Sequence, residues 1–390
     1  MIRGLALMMI FINHVPGTFF EHLTSRNFGF SDAAEAFVLL AGVSAALAYG
    51  RSFAGKPKLI EITRATARPW KRAWTLYLVH IALSLAVLAV VAAVMRFGGS
   101  PGMILRDNFR AILEDPLGTY VGLPLMLHQF GYVNILPLYV VLLLSAPAML
   151  WLGQRRPGLL LAGSVALWIF AGLTRINFPS YPTPYGWFLN PLSWQLLFVI
   201  GILTGLSLKE GRRFVPAHPR LISLAAGFAL VALLWVKIPL VGALGRDLLD
   251  RLHDLGLPGL FTQFNKGYLE LPRLAHVLAL AYLASALPAL SRFASSHAAA
   301  ALTVMGRQAL PVFALGTFLS FAVRAIRWLL EDAGRPSGPM LDALLIGSGV
   351  AIMIGFAALR ELITPPRRGA KPGPQPAAAS SGATAALQTS

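Results

Sequence analysis

Ala73-Trp-Thr-Leu-Tyr-Leu-Val-His-Ile-Ala-Leu-Ser-Leu-Ala-Val-Leu-Ala-Val-Val-Ala-Ala-Val-Met95 carries no charged side chain from end to end. Wound as an α-helix at about 1.5 Å per residue, it spans slightly more than the roughly 30 Å of a bilayer's hydrocarbon core. It lacks the period-2 alternation of a membrane β-strand. The stretch therefore reads as a transmembrane helix. Nine more apolar runs flank it, near 3–20, 31–50, 133–152, 158–174, 192–208, 220–239, 269–290, 300–324 and 341–362. Composition agrees, because 56% of the 390 residues are hydrophobic and only 13% are charged, against about 25% charged in a soluble protein. The expected fold is all-α, a polytopic membrane bundle of about ten transmembrane helices.

Charge sets an orientation within that frame. A net charge of +17 on a soluble protein would suggest nucleic acid, but here the positive-inside rule accounts for it and no nucleic-acid partner is expected. With the N-terminus in the cytoplasm, the inner connections take Arg3, Arg51, Lys56, Lys58, Arg64, Arg68, Lys71, Arg72, Arg155, Arg156, Lys209, Arg212, Arg213, Arg220, Arg292, Arg360, Arg367, Arg368 and Lys371. Only Glu61, Glu210 and Glu361 oppose them there. Both termini are therefore expected to be cytoplasmic, in a bacterial inner membrane whose lipids are the first partner.

Outside the spans, Ile104, Leu105, Phe109, Ile112 and Leu113 recur at helical spacing against Arg106, Asp107 and Arg110. Leu248, Leu249, Leu252 and Leu255 do the same against Arg246, Asp250, Arg251 and Asp254. Both patterns predict amphipathic helices lying in the outer interface. Residues 366–390, rich in Pro, Ala, Ser and Gly, read as a disordered cytoplasmic tail behind a transmembrane domain over 1–365. The first apolar run carries Asn13 and His14 in its middle and has no small-residue cleavage site, so it reads as a span and not as a leader.

An ionisable group inside a span is costly and marks a functional candidate. His14 is the foremost. It follows Arg3 by eleven residues, about 16 Å along a helix, and eleven steps of about 100° return both to nearly one face. Glu35 and Asp32 stand at the outer end of the second run, where a carboxylate beside His14 would raise its basicity and fix its tautomer. Ser31 also reads as an N-cap with acids suited to a helix start, the simpler account of Asp32. Arg64, Arg68, Lys71 and Arg72 suit a phosphorylated ligand, or merely topology and lipid. Tyr181, Tyr185 and Trp187 suit sugar stacking or an aromatic belt. Asn134, Gln195 and Arg307 are polar groups at helix ends.

Several chemistries are missing. The sequence has no cysteine, and hence no disulfide, thiol nucleophile or Cys metal site. It has no P-loop, no Gly-rich dinucleotide fingerprint, no His-Glu-x-x-His motif and no Gly-x-Ser-x-Gly elbow. No metal is expected. Residue chemistry alone leaves a membrane enzyme or a transporter with a histidine in its first span.

Arg3, ten residues and then His14 resemble the Arg-x10-His signature of acyltransferase-3 type transmembrane acyltransferases. Phe37-Val-Leu-Leu-Ala-Gly42 is similar to that family's second-span Phe-Phe-Val-Leu-Ser-Gly pattern, with Ala41 where Ser is frequent. The chain starts two residues before Arg3, where the family usually has about a dozen. More specifically, Ile12-Asn-His-Val-Pro-Gly17, Thr24 to Phe37, Asn134 to Tyr139, Asn190 to Gln195 and Gly306 to Phe313 resemble the OpgC family. These are succinyltransferases of osmoregulated periplasmic glucans.

That resemblance implies an acyl-CoA-dependent O-acyltransferase with succinyl-CoA as donor co-substrate and a periplasmic glucan as acceptor. His14 is then expected as general base, Glu35 as the group orienting it, and Asn13 or a backbone amide as oxyanion support. Arg3, Arg68 and Arg72 are expected to receive the nucleotide end of CoA. Arg307, Asp32, Tyr185 and Trp187 are further substrate-binding candidates, and Arg26 or Arg324 is expected to read the succinyl carboxylate. Acetyl transfer to another envelope polysaccharide and a transporter using His14 and Glu35 as a proton relay are the alternatives.

Overall fold

The computed structural model describes residues 1–55, 58–98, 108–335 and 338–363. It is helical almost throughout. The chain opens with α1 (Ile2–Asn13), α2 (Ala33–Tyr49) and the 40-residue α3 (Leu59–Gly98). Short α4 (Ala111–Glu114) and α5 (Pro116–Gly122) lead to α6 (Ile135–Arg155), α7 (Pro157–Thr174), α8 (Pro191–Lys209) and α9 (Pro219–Lys237). Then come α10 (Pro239–Asp254), α11 (Gly259–Thr262), α12 (Leu271–Ala286) and α13 (Pro288–Ala294). Last are α14 (Ala300–Arg307), α15 (Ala309–Asp332) and α16 (Pro339–Ile363). Proline stands in the first turn of α5, α7, α8, α9, α10 and α12, where its missing N–H costs no helical bond.

Among the described residues, eight helices are long and apolar enough to cross a bilayer: α2, α3, α6, α7, α8, α9, α15 and α16. The pair α12 and α13, bent by 73°, makes a ninth if counted as one span. The expected run 3–20 is a helix only to Asn13, because Pro16 and the positive φ of Gly17 (83°) turn the chain. Twelve residues rise only about 18 Å, too little to cross alone. The expected run 300–324 is likewise broken at Gln308, so that α14 is a separate short helix packed on α1. Conversely, the helix of the run Ala73 to Met95 begins well before it, at Leu59. It winds straight through Pro69 into the span as α3, about 60 Å long, whose first turns reach beyond a 30 Å core.

The outer segments depart from expectation in part. Ile104, Leu105, Arg106 and Asp107 lie outside the described residues. Phe109 does not face lipid: it is fully buried and stacks on Phe130 with ring centres 4.5 Å apart. Asp115 caps α5 through Gly118 N and divides the segment from α4, so no continuous amphipathic helix forms over the described part. The second amphipathic pattern is a helix, α10, which starts earlier than expected at Pro239 and exposes Leu240, Leu244 and Leu248. The tail after Ile363 lies outside the described residues.

At the centre α2 packs along α8. A methyl on Gly42 would stand 2.1 Å from Phe198 O, and one on Gly201 would stand 2.2 Å from Leu39 O. Two helix backbones touch here because neither residue has a Cβ, the usual route to close packing where lipid offers no hydrophobic drive.

One end of the bundle is basic. Gln154 Nε2 donates to Gly50 O at 3.0 Å and Arg155 NH2 to Gly55 O at 3.0 Å, joining the α6–α7 connection to the α2–α3 connection. Arg307 pairs with Glu361 at 2.8 Å across the same end. At the opposite end, Arg327 NH1 donates to Pro16 O at 2.8 Å and Lys266 pairs with Asp32 at 2.6 Å.

Candidate active site

Helix α1 runs between these ends. Ala6, Leu7, Ile10 and Phe11 are buried against α2, α14 and α15, so the helix is an internal strut with few rotations open to it. It leads from Arg3 near the basic end to His14, its C-cap residue, near the other. Each side chain opens into its own cavity, as the shared helical face anticipates.

The inner cavity, about 150 Å³, is lined by Arg3, Phe37, Ser44, Tyr49, Arg72 and Tyr139 among others. Arg3 NH2 donates to Leu40 O at 3.0 Å and also to Ser44 Oγ, so the guanidinium is tied to the inner half of α2. The outer cavity, about 370 Å³, is lined by Asn13, His14, Arg26, Asp32, Tyr132 and Lys266 among others. Ile135 and Phe313 belong to the walls of both. A partition of those side chains thus lies between the Arg3 and His14 compartments.

His14 is presented without a fixed partner. Neither ring nitrogen is hydrogen bonded among the described residues, and Nδ1 is buried. A neutral imidazole so placed keeps a lone pair free for a ligand proton. Its ring is held by packing, with the Tyr132 ring 4.3 Å away at a 42° tilt. Tyr132 adopts φ 67°, a left-handed conformation that costs a non-glycine residue about 1–2 kcal/mol. Strain of this kind persists where surrounding structure enforces it, often at functional sites. Behind Tyr132 lies Arg324, its guanidinium 5.2 Å from the Tyr132 ring centre and 4.9 Å from that of Phe321.

Asn13 is oriented. Thr24 Oγ1 donates to Asn13 Oδ1 at 2.6 Å, which leaves the amide Nδ2 as the end free to donate. That arrangement suits support of an oxyanion in the same cavity.

Glu35 sits elsewhere than the proposed orienter of His14 would. Its side chain is fully buried, Oε1 accepts from Arg273 Nε at 2.8 Å, and Oε2 accepts from Asp32 N at 3.0 Å. It closes a capping box with Asp32, which accepts from Ala34 N at 2.8 Å. No hydrogen bond joins it to His14 among the described residues, and it is absent from the cavity wall. The reason is competition: Arg273 from α12 takes Oε1 through both Nε and NH2, and an orphan amide at the start of α2 takes Oε2. Asp32 itself both caps α2 and faces the His14 cavity, where Lys266 neutralises it.

The other candidates divide. Arg72 lines the Arg3 cavity, and Arg68, one helical turn earlier, lines an adjoining open basin of about 480 Å³ with Arg51, Arg64 and Glu61. Arg26 lines the His14 cavity from the 3-10 turn Ser25–Asn27. Arg307 is spent on Glu361 and lines neither cavity. Tyr185 is 77% exposed and available to a ligand, whereas Trp187 is 4% exposed against Phe178 and cannot stack on a sugar. Arg324 is 5% exposed, stands over the Tyr132 ring and does not line the His14 cavity. Gln195 bonds Ser164 Oγ at 2.6 Å and Ser164 O at 2.8 Å, a clamp between α7 and α8.

Four residues of the site escape a reading of the sequence alone: Tyr132, Lys266, Arg273 and Phe313. Arg273 did carry a signal, a guanidinium just inside the run 269–290, where a charge demands a partner. Tyr132 and Phe313 carried none of their own, since an aromatic in or beside an apolar run reads as core or belt.

A bundle of apolar helices with an ionisable strut at its centre defines the class: a polytopic α-helical membrane protein with a buried, cavity-lining histidine. The chain belongs to the OpgC family, whose model, described as "OpgC protein", matches residues 1–364. That membership and the membrane-helix bundle together fit a membrane acyltransferase. No curated protein and no solved structure matches the chain.

Proposed function

We propose that this protein moves a succinyl group from cytosolic succinyl-CoA to a glucose hydroxyl of a periplasmic glucan, with His14 as general base. The observation that carries the reading is the pair of cavities at the two ends of α1, Arg3 in one and His14 in the other, meeting at Ile135 and Phe313. The donor is cytosolic and the acceptor periplasmic, so the reaction needs a route through the bilayer. Positive-inside orientation turns the basic end to the cytosol. Arg51, Arg64 and Arg68 then meet the phosphates of CoA, and Arg3 and Arg72 line the way inward.

The acceptor hydroxyl oxygen attacks the thioester carbonyl while His14 removes its proton. Asn13 Nδ2 supports the oxyanion. Collapse breaks the C–S bond, and the proton held on His14 passes to the departing CoA sulfur. A succinyl ester and free CoA result, and His14 returns to its neutral form. Glu35 takes no proton in this scheme, since Arg273 holds it. The same pairing speaks against a His14–Glu35 proton relay.

The test is direct. His14→Ala in lipid nanodiscs, given succinyl-CoA and glucan, is expected to lose at least about a hundredfold in transfer, the lower range for a general base. It should still show a thermal shift with CoA. Near-normal turnover of that variant overturns the proposal.

A further inference from the structure

The charges around His14 do not cancel. Of the ionisable side chains lining the outer cavity, Lys266 and Asp32 form an ion pair, and the remaining charged one is Arg26. Arg26 makes no hydrogen bond or ion pair among the described residues. Of the other nearby cations, Arg273 is paired with Glu35, and Arg324 stands over the Tyr132 and Phe321 rings and is not part of the cavity wall. With His14 neutral, the wall therefore carries one surplus positive charge, on a planar fork that matches a carboxylate.

The turn that carries Arg26 is held in place. Thr24 Oγ1 lies 2.6 Å from Asn13 Oδ1 and 2.7 Å from Glu21 O, its one proton shared between the two acceptors, and Asn27 Nδ2 donates to Glu21 O at 2.7 Å. Arg26 thus projects from a loop clipped to the residue beside His14, while its own head group is unengaged. Arg26 is solvent-exposed and lines the same cavity as His14, so its guanidinium is open to a ligand that brings its own negative charge.

Resting on the acyltransferase reading above, we propose that Arg26 binds the free carboxylate of a dicarboxylic acyl group and thereby selects a succinyl over an acetyl thioester. In an extended succinyl chain about 4 Å separates the thioester carbon from the carboxylate carbon, three C–C bonds of about 1.5 Å in zigzag. One cavity of about 370 Å³ accommodates both ends. An acetyl group leaves the guanidinium without a partner. Lys at this place would keep the charge and lose the bidentate fit.

The experiment compares donors on full-length protein in nanodiscs with glucan as acceptor. For Arg26→Ala, kcat/KM with succinyl-CoA is expected to fall about tenfold to a hundredfold, the range of a charge-assisted hydrogen bond. Acetyl-CoA should be used as well as by the wild type, and Arg26→Lys should fall between. The melting temperature should not move, since the exposed side chain bonds none of the described residues. An equal loss with both donors, or an unchanged succinyl rate, overturns the proposal.

Failure of the parent reading looks different, because the wild type would then transfer neither acyl group. In that event succinate itself is the probe. A thermal shift by succinate that Arg26→Ala abolishes supports the carboxylate site, and no shift in the wild type overturns it.

Discussion

Arg273 on α12 closes on Glu35 of α2 with Nε 2.8 Å from Oε1, and the glutamate side chain has no exposure at all. The carboxylate that the sequence offers as a partner for His14 is thereby a tie between two helices. Breaking a buried pair by removing one member strands the other charge, whereas removing both avoids that penalty.

Glu35→Ala is therefore expected to destabilise the protein by about 3–5 kcal/mol. The double variant Glu35→Leu with Arg273→Met should recover most of that loss. Melting in detergent micelles measures both. If the double variant keeps appreciable transfer while His14→Ala has none, Glu35 is structural; loss of transfer in a well-folded double variant would restore it to the chemistry.

Tyr132 offers a separation of strain from packing. Tyr132→Phe keeps the ring against His14 and should retain most of the transfer. Tyr132→Ala and Tyr132→Gly both remove it and should lose turnover alike. Glycine tolerates φ 67° and alanine does not, so the glycine variant should be the more stable by about 1 kcal/mol. Equal melting temperatures, or turnover that follows stability and not the ring, would refute this account.

Phe313 partitions the two cavities with Ile135. Phe313→Leu keeps an apolar side chain of lower volume, at a cost below the roughly 3–5 kcal/mol of truncating a buried Phe to Ala. A thinner partition should admit water to the thioester, so the ratio of succinyl-CoA hydrolysis to transfer should rise by about an order of magnitude. An unchanged ratio would show that the seal lies elsewhere.

Much was legible along the chain. Apolar runs near 20 residues long have only one way to satisfy their backbone in lipid, so helices and class follow from composition and length. Arg3 and His14 share a face because helical period is local geometry, and both do line cavities. Long-range pairing was not legible. Which cation would reach Glu35 depends on α12 packing beside α2, across more than two hundred residues. The burial of Phe109 and Trp187 turns on what packs over them, not on their own chemistry.

The sequence by itself determined the helices, the basic excess and the Arg3–His14 strut, since each rests on neighbours within a few turns. Only the tertiary structure decided that Glu35 answers to Arg273, that Lys266 answers to Asp32, and that Tyr132 packs on His14. Those outcomes are set by competition among distant groups for partners in a medium that leaves no charge unpaired without cost.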